Sequence, residues 1–142
     1  MAAESRVLEA GLAQLYAQAL VAIARADDQI ELEEGQRLQQ HIDARTSSPI
    51  PLEDLLLVEP LAPLELAEHV RAAEGPFRGG SIHARDLARI IVLDSLSVVL
   101  AKGHVSERQA QQIIGFATAL GCTIEEVRSM TADLDPWLAQ LR

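Results

Sequence analysis

Apolar residues three and four apart recur along most of this chain, and no stretch shows the period-two alternation of a half-buried strand, so helices are the only elements the pattern supports. Val7, Leu8, Leu12, Leu15, Ala19, Leu20 and Ile23 stack as one stripe on a helix from about Ala3 to Ala26. Asp27-Asp28-Gln29 breaks it with side chains that compete for backbone hydrogen bonds, and a second helix follows from Glu31 to about Asp43 with Leu32, Leu38 and Ile42 inward. The pair forms an αα-hairpin. Pro49 and Pro51 lack amide protons, so the segment Arg45–Pro51 is a linker within the domain.

Beyond that linker the pattern predicts a short turn over Leu52–Leu57 and a helix opened by Pro63 that runs to about Ala73. Glu74–Gly80, with three glycines, reads as a surface loop. A strongly apolar helix over Ile82–Ala101 is stopped by Gly103. Ser106-Glu-Arg-Gln109 is a capping box that starts a helix near Glu107 and lets it run to Gly121. Thr123-Ile-Glu-Glu126 is a second such box, and Asp135-Pro136 opens a final amphipathic turn with Trp137, Leu138 and Leu141. The expected architecture is one all-α domain over residues 1–142, a bundle of about seven helices. Hydrophobic residues make up 49% of the chain but aromatics only 3%, so its core must be packed from Ala, Leu, Ile and Val, which suits helices.

Charge narrows the function classes. Twelve Lys and Arg stand against 21 Asp and Glu, a formal charge of −9 that repels phosphate backbones, so nucleic acid is not expected as a partner. Met1–Glu9 lacks the basic and apolar regions of a secretory signal. The Leu87–Ala101 stretch is interrupted by Arg89 and Asp94 and falls short of the ~17–25 residues of a membrane span, so a cytoplasmic protein without a transmembrane segment is expected. A single cysteine, Cys122, offers no internal disulfide and follows a helix-ending glycine where a small apolar residue packs.

The two clearest hairpins carry an internal repeat. Ala26-Asp-Asp-Gln-Ile30-Glu31 matches Ala101-Lys-Gly-His-Val105-Ser106 at an offset of about 75 residues, each followed by a helix, which predicts two pseudo-repeated helical hairpins. On these residues the chain resembles the TerB-like domains associated with tellurite resistance, whose units read Ala-x-Ala-Asp-Gly-x-Ile-x-x-x-Glu. The first copy keeps Ala24, Ala26, Asp27, Ile30 and Glu34 but has Asp28 in the glycine position. The second keeps Gly103 but has Lys102 and Gln109 in the acidic positions. Ile114–Val127 also looks like the close of such a domain, so the resemblance covers about residues 12–127. It implies a helical bundle that is not a known enzyme scaffold, found in bacterial stress-response systems and in proteins near the cytoplasmic membrane, with proposed acidic metal-binding surfaces.

The expected metal site is Asp27, Asp28, Glu31 and Glu34, because carboxylates on a turn and on the first turn of a helix can converge on Ca²⁺ or Mg²⁺. Glu31 and Glu34 share a helix face, although the spacing is not an EF-hand loop, which would need Glu where Leu38 stands. A second reading needs no ion: acidic residues at a helix N-terminus are favoured by the macrodipole at ~0.3–1 kcal/mol each. His41, His69, His83 and His104 are too scattered for zinc, and Gly79-Gly80-Ser81 could present amides to an anion but is not a P-loop. Asp94 in the apolar helix more often marks its wet face; if it is buried, it needs a partner such as Arg89 or a backbone amide. Trp137 is read as packing back onto its own bundle, with docking to another protein as the alternative, and the run Leu55-Leu56-Leu57-Val58 is a candidate surface for a partner or a homodimer.

The expected function is a non-enzymatic interaction or sensing module with one or more protein partners, a homodimer among them. It would approach a membrane only through a partner, and would bind a divalent cation but no organic cofactor. Two alternatives come from other classes: a small enzyme working between the hairpins with Glu34, His83 or His104, and a structural homodimerisation domain built on the leucine-rich middle.

Overall fold

In the computed structural model, which describes Leu8 and residues 10–27, 30–47, 49–72, 84–101 and 105–131, the three-and-four spacing becomes seven α-helices, with no strand among the described residues. They are α1 (Ala10–Ala24), continued by a 3-10 turn over Arg25–Asp27, α2 (Leu32–Arg45), α3 (Leu52–Leu56), α4 (Pro63–Ala72), α5 (Ala84–Leu100), α6 (Glu107–Ala119) and α7 (Ile124–Thr131). The loop expected over 74–80, the turn expected after Asp135, Asp28, His83 and His104 lie outside the described residues.

Two helices form the centre. α1 buries more than the stripe its spacing defines: Leu12, Tyr16, Leu20 and Ile23 are buried, but so are Ala13, Ala17, Val21 and Ala24 on other faces. The physical reason is that α1 has neighbours on several sides, namely α2, α3, α5 and α6, and small alanines let those helices approach. α5 packs against α1 and is buried almost all round, from Leu87 through Ile91 and Leu96 to Val99. α2 and α6 both pack against α5, α4 lies on α6, and α7 closes against α5 and α6.

Helix ends follow local chemistry. The Ser106 hydroxyl accepts from the Gln109 amide at 3.1 Å, and the Gln109 side chain returns the bond to the Ser106 amide. Thr123 and Glu126 repeat the arrangement at 3.1 and 2.8 Å. At α4 the Glu65 carboxylate likewise accepts from the Ala62 amide at 2.9 Å. α6 ends in a Schellman motif: the Cys122 amide donates to Ala117 and the Gly121 amide to Thr118, with Gly121 at a φ of 106° that side chains resist. Cys122 is buried there, as a small apolar residue would be.

Candidate functional site

The acidic turn is divided by the fold. Glu31 precedes α2 with an exposed side chain, whereas Glu34, one turn into the helix, is wholly buried. Its Oε1 accepts from the Glu31 amide at 3.0 Å, closing the N-terminal turn of α2, and its Oε2 accepts from Gln109 Nε2 at 2.9 Å. Gln109 Nε2 also donates to the Ala24 carbonyl at 3.2 Å. One buried amide thus joins the end of α1, the start of α2 and the start of α6, and the two residues it ties, Glu34 and Gln109, stand 75 positions apart in chain order. Asp27 ends the 3-10 turn and Asp28 is outside the described residues. Among the described residues no group of three or more His, Cys, Asp and Glu is arranged to hold a metal ion.

Asp94 sits at the molecule's polar centre. It is buried in the middle of α5, and its partner is Arg45, the last residue of α2, rather than Arg89, which is exposed. Arg45 Nε donates to Asp94 Oδ2 at 2.9 Å and Nη2 to Oδ1 at 3.2 Å, a bidentate pair. Tyr16 of α1 donates its hydroxyl to Asp94 Oδ2 at 2.5 Å. The backbone joins in, since the Leu8 amide donates to the Arg45 carbonyl at 2.7 Å. Helices α1, α2 and α5 are therefore clamped through one carboxylate. Burial, then the charge of Asp94 and its hydrogen bond, push the Tyr16 phenol far above its ordinary range. Burial opposes the charge on Arg45, but the hydrogen bond to Asp94 and its attraction outweigh it, so the guanidinium is held above its usual value.

His41, one turn before Arg45, places Nδ1 3.7 Å from Asp94 Oδ1, too far for a hydrogen bond. Burial lowers its pKa, and the nearby Arg45 and Arg37 lower it further against the pull of Asp94, so the ring is neutral at pH 7. Beside it an open groove of about 500 Å³ is lined by Arg37, Asp94, Ser97 and the aliphatic Leu93, Leu96 and Leu100. His, Asp and Ser meet at this groove, but Asp94 already serves Arg45 and Tyr16, and Ser97 Oγ accepts from Arg37 at 3.0 Å. The arrangement orients and neutralises Asp94; it does not line a base up on a nucleophile.

The third feature is apolar. Leu55 of α3 is buried, but Leu56, Leu57 and Val58 that follow it are exposed, Leu57 at 84%, and so is Leu64 in the first turn of α4, at 74%. Pro60 and Pro63 bound the connection, and Arg25 at the end of α1 holds it by donating to the Val58 carbonyl at 3.3 Å. Of the five large hydrophobic side chains exposed among the described residues, only Leu32 lies elsewhere, at the start of α2. α3 abuts that turn: a Cβ at Gly35 would stand 3.8 Å from Leu52 Cδ2.

The sequence pointed to the Leu55–Val58 run, but its spacing favoured Asp94 on a wet face and offered Arg89 only if it were buried; Arg45, Tyr16 and the Glu34–Gln109 tie were not legible in it. The available signal was that the chain's single Tyr, set among the apolar residues of the first helix, must satisfy its hydroxyl somewhere. These features define a class: an all-helical bundle closed by a buried ion-paired centre and carrying, among the described residues, an exposed apolar segment over 56–64. Comparisons of the chain with family models, with curated proteins and with solved structures find no match in any of the three.

Proposed function

We propose that this protein is a non-enzymatic interaction module, a TerB-like helical domain that presents the segment 56–64 to a protein partner. The observation that carries the reading is the exposure of Leu56, Leu57, Val58 and Leu64 within nine residues, four of the five large hydrophobic side chains exposed among the described residues. Burying such a group on a partner yields roughly 1.5–3 kcal/mol per side chain, enough for a few residues to anchor an interface. The polar centre supports the same reading from the other side: its carboxylate holds helices together, so the groove beside it is a product of packing. The placement of Leu57 and Leu64 on a bundle clamped at its core gives a partner a rigid surface and lowers the entropic cost of docking.

The test compares affinity capture by the native protein with capture by the Leu57→Ser/Leu64→Ser variant, both checked for helix content by circular dichroism. A partner whose recovery falls about tenfold with the variant supports the reading. Identical recovery profiles overturn it.

In this reading Glu34 acts as a buried tie between α2 and α6, and the acidic turn caps a helix. Adding Ca²⁺, Mg²⁺, Mn²⁺ or Zn²⁺ to EDTA-treated protein then leaves the thermal midpoint unchanged. A saturable rise, of the order of the ~2.7 kcal/mol expected at 100 times the dissociation constant and lost in Asp27→Asn/Glu31→Gln, would instead assign the turn to an ion.

A further inference from the structure

The exposed apolar segment has a charge pattern that selects its occupant. From Thr46 to Val70 the chain contains no Lys or Arg, while Glu53, Asp54, Glu59, Glu65 and Glu68 are interleaved with Leu56, Leu57, Val58 and Leu64. All five carboxylates are exposed. Among the described residues the structure brings two cations to the segment: Arg25, whose Nη1 is occupied with the Val58 carbonyl, and Arg108, which lines a shallow pocket with Pro63. The surface is therefore apolar at its crest and negative around it. On the basis of the interaction reading above, we infer that segment 56–64 docks a basic amphipathic segment of another protein, with Leu, Ile or Val entering between Leu57 and Leu64 and Lys or Arg meeting the carboxylates.

Charge complementarity decides against the other occupants. A second copy of this chain, docked through the same face about a two-fold axis, would bring two such sets of carboxylates together, a like-charge juxtaposition that disfavours the pairing. An anionic lipid surface is repelled by the same rim. A basic partner is drawn in from a distance, because the whole chain carries −9, and the attraction weakens as salt shortens the Debye length.

The experiment uses three labelled helical peptides of about 14 residues, some four turns, that share one leucine face and carry Lys, Gln or Glu on the other. Anisotropy titrations of the full chain should show saturable one-to-one binding of the Lys peptide, weakened about tenfold by Leu57→Ser/Leu64→Ser and by added salt. The Gln peptide should bind about tenfold more weakly and the Glu peptide not at all. A Glu53→Gln/Glu59→Gln/Glu65→Gln variant should bring the Lys and Gln peptides to similar affinity. If the Lys peptide binds but the leucine variant binds it equally well, bulk charge is responsible and the proposal falls.

If all three peptides bind alike in a Leu57-dependent manner, the segment is an interaction surface without charge selection, so the proposal falls while the interaction reading stands. A dimer in sedimentation equilibrium that dissociates with Leu57→Ser makes a second copy the occupant and overturns the proposal. Leucine-dependent binding to phosphatidylcholine–phosphatidylglycerol vesicles overturns it in favour of a lipid surface. No binding by any peptide, with no effect of the leucine variant on any readout, removes both the proposal and the reading it rests on.

Discussion

Asp94 shows how much one buried side chain can organise. Its carboxylate receives Arg45 in two hydrogen bonds and Tyr16 in a third, and all three side chains come from different helices. Removing one member of a buried ion pair strands the other's charge, so Asp94→Ala should cost about 3–5 kcal/mol in denaturant unfolding. Replacing the set together, Tyr16→Phe/Arg45→Met/Asp94→Leu, should restore most of that stability, because an apolar set of similar volume has no charge to desolvate. The same centre gives a spectroscopic readout, since Tyr16 is the chain's only tyrosine. Its phenol is held above its ordinary value of 10.0, so the native protein should show no phenolate absorbance through that pH. Because the folded value is the higher one, the stability Tyr16 contributes is complete below pH 10 and is lost as pH rises above it, and phenolate should appear together with unfolding. Phenolate appearing near its ordinary value in a still-folded protein would remove Tyr16 from the buried centre.

At the scale of elements, helix starts were legible and helix contacts were not. Ser106–Gln109 and Thr123–Glu126 are read directly as capping boxes because the motif is local, four residues long and set by backbone geometry. The second duty of Gln109, reaching the Ala24 carbonyl and Glu34 across the bundle, has no local signature. Two variants separate the duties. Ser106→Ala removes a cap and should cost about 1 kcal/mol. Gln109→Leu removes the cap's return bond together with both long-range bonds and should cost about 1–3 kcal/mol more, with Glu34→Leu partly compensating in a double-mutant cycle. Equal costs for Ser106→Ala and Gln109→Leu would show that the interhelical bonds contribute nothing measurable.

For the whole molecule, stability is tied to pH through His41. The ring is partly buried between Asp94, Arg45 and Arg37, and its folded-state pKa lies below the unfolded value of 6.5. The unfolded chain therefore binds the proton more readily, so the contribution of His41 to stability is complete above pH 6.5 and is lost as pH falls below it. His41→Gln should flatten the stability profile in that window, as read from urea midpoints at a series of pH values. An unchanged slope would place the acid sensitivity elsewhere. Whole-molecule charge acts through its distribution: −9 over the chain is an average, whereas the stretch from Thr46 to Val70 without a Lys or Arg is a local property on which the proposed selectivity rests.

What the sequence determined by itself is local in origin. Three-and-four spacing, capping boxes, prolines and Gly121 set the class, the helices and most of their ends, because those signals act between residues a turn apart. The apolar run after Leu55 was visible too, as more hydrophobic surface than one short turn can bury. Only the tertiary structure decided which acidic residues would meet water and which would be enclosed: Glu31 and Glu34 look alike in a sequence, yet one is exposed and the other is held on Gln109 inside the bundle. It also chose Arg45 over Arg89 for Asp94 and buried α1 on nearly every face. The reason is physical: a partner's identity depends on which helix faces the packing of an aliphatic core brings together, and that packing is settled by volume and contact across the whole bundle.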